Sequence, residues 1–283
     1  MLNLKDQAEG LRTLLGNRGN KSFIVLSALN PIDRNAILLN ISAAIINSGE
    51  TVNLIDANRN SDGISSILKN KPANAQAKTN NYLSLTTPSI KGNTSKIGVT
   101  KVFNASGVSA NKISPLNEIL RLIEENTEKF TISFIDIDVN DEITEHLDEI
   151  TSGQVIVLVN NQENSIKKAY TLLKKLSTKI SELKVNLVVN GSDKEESQLI
   201  QRNISITANN NLSVSIASLG NIIHDEDLAK ASKIGKSVFE IFPESQSVDT
   251  FKQIASNILK EPTITSKAHE SPRSENHHPI EVQ

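Results

Sequence analysis

The chain of 283 residues contains no cysteine and no tryptophan, and aromatic residues make up only 3% of it. Without cysteine it can form no disulfide, no thiolate metal site and no cysteine nucleophile, which is typical of a protein from a reducing compartment. With so few aromatic rings, the core must be built from isoleucine, leucine and valine. The sequence therefore predicts a cytoplasmic protein with an aliphatic core.

Neither sign of charge dominates, because 30 basic residues face 32 acidic ones and the formal net charge is −2. No block of lysine and arginine stands out as a footprint for a phosphate backbone, so we expect no nucleic-acid partner. No apolar run approaches the roughly 18 residues of a membrane span. The opening residues MLNLKDQAEG also lack the apolar core of a signal peptide.

Signatures of common enzymes are missing as well. The sequence contains no G-x-S-x-G elbow, no H-E-x-x-H motif and no glycine-rich dinucleotide fingerprint. The histidines show no spacing typical of zinc ligands; they are His146, His224, His269, His277 and His278. We therefore predict no metal site and no catalytic residue within the chain.

Apolar, β-branched runs alternate with helical patterns along most of the chain. The predicted strands cover residues 23–26, 52–55, 97–103, 131–137, 155–159, 185–189 and 214–219. The predicted helices cover residues 35–48, 116–127, 165–176, 194–201, 226–234 and 248–259. Several strands are continuously apolar, which is typical of a sheet covered on both faces. The alternation predicts a doubly wound, mostly parallel α/β sheet.

Composition divides the chain into three parts. Residues 21–260 form the predicted α/β domain, interrupted at residues 69–95 by a polar stretch that we expect to be a surface excursion. Residues 261–283 form a polar tail that we expect to be disordered. Residues 1–20 form a predicted partner-binding helix and linker.

Apolar residues of the first segment fall at helical spacing; they are Leu4, Ala8, Leu11, Leu14 and Leu15. Gly16 and Gly19 follow them and would separate such a helix from the first strand. Two interpretations stand side by side. The helix is either a detachable binding element or simply packs on the sheet.

The stretch SALNPIDRN, residues 27–35, lies between the first predicted strand and the first predicted helix. This is the place of a phosphate-binding loop, but the stretch has no glycine, Pro31 removes a backbone donor, and Asp33 adds a negative charge. Arg34 could replace a phosphate-binding lysine only as a charge. An ordinary turn, with Asp33 near a helix start, is the competing interpretation.

Two carboxylates end predicted strands, Asp56 after VNLI and Asp136 after FTISFI. The carboxyl ends of parallel strands are where Mg²⁺–nucleotide sites of α/β folds recruit ligands. Aspartate is also common at strand ends and helix caps, so the two residues alone indicate no more than a candidate site.

The segment DQAEGLR, residues 6–12, resembles the D-Q-A-x-x-L-R motif at the N-terminus of the FlhG (also FleN) family, the MinD-like regulators of flagellar number and placement. Weaker matches continue in the family's order to about residue 259, among them FTISFIDID at residues 130–138 and SLGNIIHDEDLAKA at residues 218–231. The resemblance implies a MinD/ParA sheet of the SIMIBI class of P-loop proteins, with a degenerate P-loop.

When the family's G-K-G-G-V-G-K-T is placed on residues 28–35, Leu29 takes the position of the signature lysine and Arg34 that of the P-loop lysine. Asn35 takes the position of the closing threonine, which is a Mg²⁺ ligand in the family. The resemblance implies a vestigial nucleotide site, so no ATP, Mg²⁺ or other cofactor is expected. Its positions are Leu29, Arg34, Asn35, Asp56, Asp136 and, where the family reads adenine, Asn190.

In the family the N-terminal motif engages FlhF, a GTPase of the SRP type, and stimulates its GTP hydrolysis. The resemblance therefore implies a pseudo-ATPase that activates such a GTPase through Asp6, Gln7, Ala8, Leu11 and Arg12. Gln7 is expected to position the attacking water. Basal-body proteins or a transcriptional regulator are further expected partners.

The implied location is the cytoplasm, at a cell pole or near the membrane through a partner. Direct membrane binding is not expected, because the tail is polar. Two alternatives stay open, a ParA-like polar scaffold that acts by protein contact alone and a residual ATPase.

Overall fold

The computed structural model describes residues 21–60, 62–68, 82–83, 97–103, 114–126, 128–138, 144, 147, 154–180, 183–191, 193–212 and 214–262. The predicted helix of residues 1–20, with Asp6, Gln7, Ala8, Leu11 and Arg12, lies outside the described residues. So do most of the excursion at residues 69–95 and the tail from residue 263 onward.

One sheet of eight strands organises the described residues. The strands are β1 (Lys21–Ser27), β2 (Val52–Asp56), β3 (Tyr82–Leu83), β4 (Ile97–Lys101), β5 (Ile132–Ile137), β6 (Gln154–Asn160), β7 (Lys184–Asn190) and β8 (Ser215–Ile222). Their spatial order is β3-β4-β2-β5-β1-β6-β7-β8. All pairings are parallel except that of β3 with β4 at one edge.

The helices cover both faces of this sheet. They are α1 (Pro31–Asn47), α2 (Ile64–Leu68), α3 (Pro115–Asn126), α4 (Glu163–Ser177), α5 (Lys194–Leu212), α6 (Glu226–Lys233), α7 (Val238–Ile241) and α8 (Gln246–Lys260). Helices α1, α2, α6, α7 and α8 contribute to the core on one face, and α3, α4 and α5 to the core on the other. The predicted doubly wound, mostly parallel sheet is confirmed.

The central strand β1 shows why the fold needs two covered faces. Phe23 and Val25 pack into one core, and Ile24 and Leu26 pack into the other, all with 0% exposure. Successive side chains of a strand point to opposite faces, so a continuously apolar strand must be buried on both. Aliphatic side chains dominate both cores, as the scarcity of aromatic residues predicts.

Helix α1, helix α5 and strand β3 differ from the sequence-based predictions. Helix α1 begins at Pro31 and not at residue 35, because Asn30 caps it and proline is well suited to a first helical position. Helix α5 runs to Leu212, far beyond residue 201, because Ile204 and Ala208 are buried against the sheet. Tyr82–Leu83, within the predicted excursion, adds the edge strand β3.

Helices α2 and α7 were not predicted at all; both are short, with five and four residues. None of the helices in the described ranges is long and apolar enough to cross a membrane.

Candidate functional site

The turn between β1 and α1 is much shorter than a phosphate-binding loop. Only residues 28–30 separate the strand from the helix. The Asn30 side chain accepts a hydrogen bond from the Asp33 backbone N–H at 3.0 Å, and the Ser27 hydroxyl accepts one from the Leu29 N–H. Pro31 therefore begins a helix, and its expected place in the middle of a loop was wrong. The first helical turn leaves few free N–H groups for an anion.

Arg34 points into the protein from this first turn, and only 7% of it is exposed. Its Nη1 donates to the Asn58 side-chain carbonyl at 3.1 Å, and its Nη2 donates to the Asp62 backbone carbonyl at 2.9 Å. Its Nε lies 3.6 Å from Oδ2 of Asp136 and donates to the Asn35 side chain. All three guanidinium nitrogens are thus engaged within the protein.

Asn58 joins the two carboxylates that end β2 and β5. Asp56 and Asp136 are neighbours in the register of these strands. The Asn58 amide nitrogen donates to Oδ2 of Asp136 at 2.7 Å and to Oδ1 of Asp56 at 3.0 Å. Oδ2 of Asp56 accepts from the Ser65 backbone N–H at 3.0 Å. Arg34, Asn35, Asp56, Asn58 and Asp136 are called the Arg34 cluster below.

The segment after β2 closes over this cluster. The Asp62 carbonyl accepts from Arg34 and, at 2.8 Å, from the side chain of Asn35. Gly63 follows, and a Cβ there would lie only 2.2 Å from Oδ1 of Asp56. The absence of a side chain at this position lets the backbone pass directly over the carboxylate.

Solved structures of MinD and of a ParA family ATPase have a similar fold. MinD of Pyrococcus horikoshii, solved with Mg-ADP, superposes with a TM-score of 0.63 at 14% identity and covers 85% of this chain and 96% of its own. A ParA family ATPase of Chlorobium tepidum gives 0.60 at 16% identity, with coverage of 83% and 98%. MinD of Aquifex aeolicus gives 0.58 at 14% identity, with coverage of 87% and 100%. The chain has the MinD/ParA fold.

At these identities the likeness shows the fold alone. No protein-family model matches the chain, and no curated protein matches it. The roles of individual residues must therefore be argued from the geometry that this MinD/ParA fold gives them.

Asp136 is the most perturbed carboxyl of the cluster. Burial raises its pKa to about 7, the Arg34 guanidinium opposes that rise, and the negative charge of Asp56 adds to it. Its second oxygen, Oδ1, has no hydrogen-bond partner within the described residues. The cluster therefore holds a carboxyl group whose charge changes near neutral pH.

The MinD/ParA fold brings four of the six predicted vestigial positions into one cluster, namely Arg34, Asn35, Asp56 and Asp136. Leu29 makes no hydrogen bond to the cluster among the described residues; it is half-buried just after β1 and lines a cavity together with Arg34, Asp62 and the α4 residues Lys167 and Lys168. Asn190 ends β7, two strands away from β1, and in the described part of the chain it makes no hydrogen bond to the cluster.

Two contributors to the cluster are not among the predicted site residues. Asn58 carries a signal, because it is a polar residue two positions after Asp56, just past the end of a predicted strand. Asp62 carries none, since it acts through its backbone carbonyl, which any residue provides. Within the described residues no group of three or more histidine, aspartate or glutamate side chains could hold a metal ion.

Proposed function

We propose that the protein is a MinD/ParA-like regulator of flagellar number and placement that does not turn over ATP. It acts through its N-terminal DQAEGLR segment, which binds a GTPase of the FlhF type and stimulates GTP hydrolysis. The inward guanidinium of Arg34 is the observation that carries the loss of ATP turnover. The motif at residues 6–12 supports the flagellar role and the activation of a GTPase.

Arg34 supports the loss of the ATP cycle because its donors are already used. Meeting a phosphate would break its bonds to Asn58 and Asp62, and hydrogen bonds to charged groups contribute roughly 1.5–3 kcal/mol each. It would also separate a buried cation from Asp136. The three-residue turn adds no anion cradle, and Leu29, at the position of the resembled family's signature lysine, has no charge to offer a phosphate. The residues therefore do not fit a Mg²⁺–nucleotide.

The N-terminal segment has the residue types that a GTPase activator needs. A glutamine delivered in trans can orient the attacking water, as glutamine does within other GTPases. In our proposal Gln7 has this role, Leu11 docks the segment in the GTPase, and Asp6 and Arg12 fix its orientation. In this proposal the nucleotide that is hydrolysed is GTP bound to the partner GTPase.

GTP turnover by the purified partner tests the proposal. A peptide of residues 1–20 should accelerate turnover, and Gln7→Ala should remove most of the acceleration while weakening binding far less. Thr13→Ala is the matched control, because six residues place Thr13 about 120° around a helix from Gln7 and therefore on a different face. Unchanged acceleration by Gln7→Ala would refute the role given to Gln7.

Deletion of the gene tests the cellular side of the proposal. Altered flagellar number or position is the expected result. Normal flagella with altered piliation would instead favour a polar scaffold that acts by protein contact alone.

A further inference from the structure

An open groove beside the first half of α1 exposes apolar side chains. Its volume is about 510 Å³, and besides α1 it is lined by α2 with Asp62 and by residues 232–236 at the end of α6. Ile32 and Ile234 line it with 66% and 62% exposure, the highest values among large hydrophobic side chains of the described residues. Apolar side chains exposed together in one place mark interaction sites, so this surface, called the Ile32 groove below, is a candidate docking surface.

The Ile32 groove carries opposite charges on its two flanks. Helix α1 contacts both α2 and α6, which form these flanks. Asp62 lies just before α2 with a half-exposed side chain. Lys233 is exposed at the end of α6, whereas Lys236 on the same flank already pairs with Glu240. The groove therefore has an apolar middle, an acidic flank and a basic flank.

A surface with this distribution of charge is complementary to itself. In a two-fold symmetric contact, residue i of one copy meets residue j of the other, and j meets i. When the two-fold axis runs along the groove, Asp62 of each copy faces Lys233 of the other. An axis across the groove would bring like charges together, and such contacts are costly. The charges therefore favour a second copy of the chain as the occupant, in one of the two orientations.

We propose that the protein forms a two-fold symmetric dimer through the Ile32 groove. Ile234 of each copy packs beside Ile32 of the other, and two ion pairs between Asp62 and Lys233 flank this apolar contact. All four side chains belong to the protein, so the dimer needs no nucleotide. The inference goes beyond the proposed function and does not depend on it.

Analytical ultracentrifugation of the full chain without nucleotide tests the apolar contact. The wild type should be mainly dimeric at about 50 μM, and Ile234→Asp should raise the dissociation constant at least about thirtyfold, as the loss of a central interface residue does. Leu199→Asp is the matched control, because Leu199 is 58% exposed but lies on α5, on the opposite face of the sheet. A monomeric wild type, or equal dimerisation of the two variants, overturns the proposal.

Charge reversal tests the two-fold arrangement itself. Asp62→Lys and Lys233→Asp should each weaken the dimer, because each brings like charges together at both flanks. A mixture of the two variants should form a heterodimer, since every contact between positions 62 and 233 then joins opposite charges. Only folded chains can form it, so this result stands even if Ile234→Asp fails to fold. No heterodimer in the mixture, or either variant dimerising alone as tightly as the wild type, overturns the proposal.

Discussion

Replacing Asp136 with asparagine should abolish the loss of unfolding free energy that Asp136 causes as pH rises from 5 to 8. The native pKa of Asp136 is raised to about 7 from its ordinary value of 3.8, first by burial and also by Asp56, while Arg34 opposes the rise. Between these two values the native state holds a proton that the unfolded state has lost. Stability from this group is therefore fully present below about pH 4 and is lost as pH rises through 7.

The magnitude follows from the same two values. Between pH 5 and the native pKa of about 7, the Asp136 carboxyl is protonated in the native state and ionised in the unfolded state. This range covers about two pH units. At about 1.4 kcal/mol per unit, the wild type loses about 3 kcal/mol of unfolding free energy over this range because of Asp136. Asp136→Asn cannot titrate and should not show this loss.

Urea denaturation of both proteins at pH 5 and pH 8 measures the difference directly. The stability of the wild type relative to Asp136→Asn should fall by about 3 kcal/mol from pH 5 to pH 8. Asp249→Asn, which removes a carboxylate with an 86% exposed side chain, controls for the loss of one charge. A relative stability that stays constant, or rises with pH, would show that Asp136 is not a buried carboxyl with a raised pKa.

Two further predictions concern stability. Burial opposes the ionisation of Asp225, but hydrogen bonds from Ser245, Ser247 and backbone amides outweigh it and lower the pKa of Asp225 to about 2. Asp225→Asn should therefore lower the unfolding free energy by about 2 kcal/mol in urea denaturation at pH 7. The difference should shrink as pH falls from 4 toward 2. Gly63→Ala should cost roughly 1–3 kcal/mol, because its Cβ would overlap Asp56, and an unchanged melting temperature would contradict the close passage of the backbone.

Most strands could be predicted from the sequence because they are buried on both faces. A continuously apolar run such as Phe23–Leu26 is stable only when both of its faces are buried, so its composition alone predicts a central strand. The length of helix α5 was underestimated because its second half is rich in asparagine, which has a low helix propensity. Burial of Ile204 and Ala208 outweighs that local preference.

The start of α1 was misplaced for a different reason. Asn30 followed by Pro31 is a pattern typical of a helix N-terminus, but the resemblance to a P-loop favoured a longer loop. The cluster itself could be predicted only in part. Asp56 and Asp136 end strands and are visible in the sequence, whereas the contact between Arg34 and the Asp62 carbonyl joins residues 28 positions apart through backbone geometry.

Isothermal titration calorimetry of the full chain with Mg²⁺–ATP tests the central claim most directly. The claim is that Arg34 occupies the cluster from within and leaves no site for phosphates. We expect no saturable heat at ATP concentrations up to about 1 mM. A saturable isotherm with a dissociation constant of about 1 μM, or about 8 kcal/mol of binding free energy, would contradict the account.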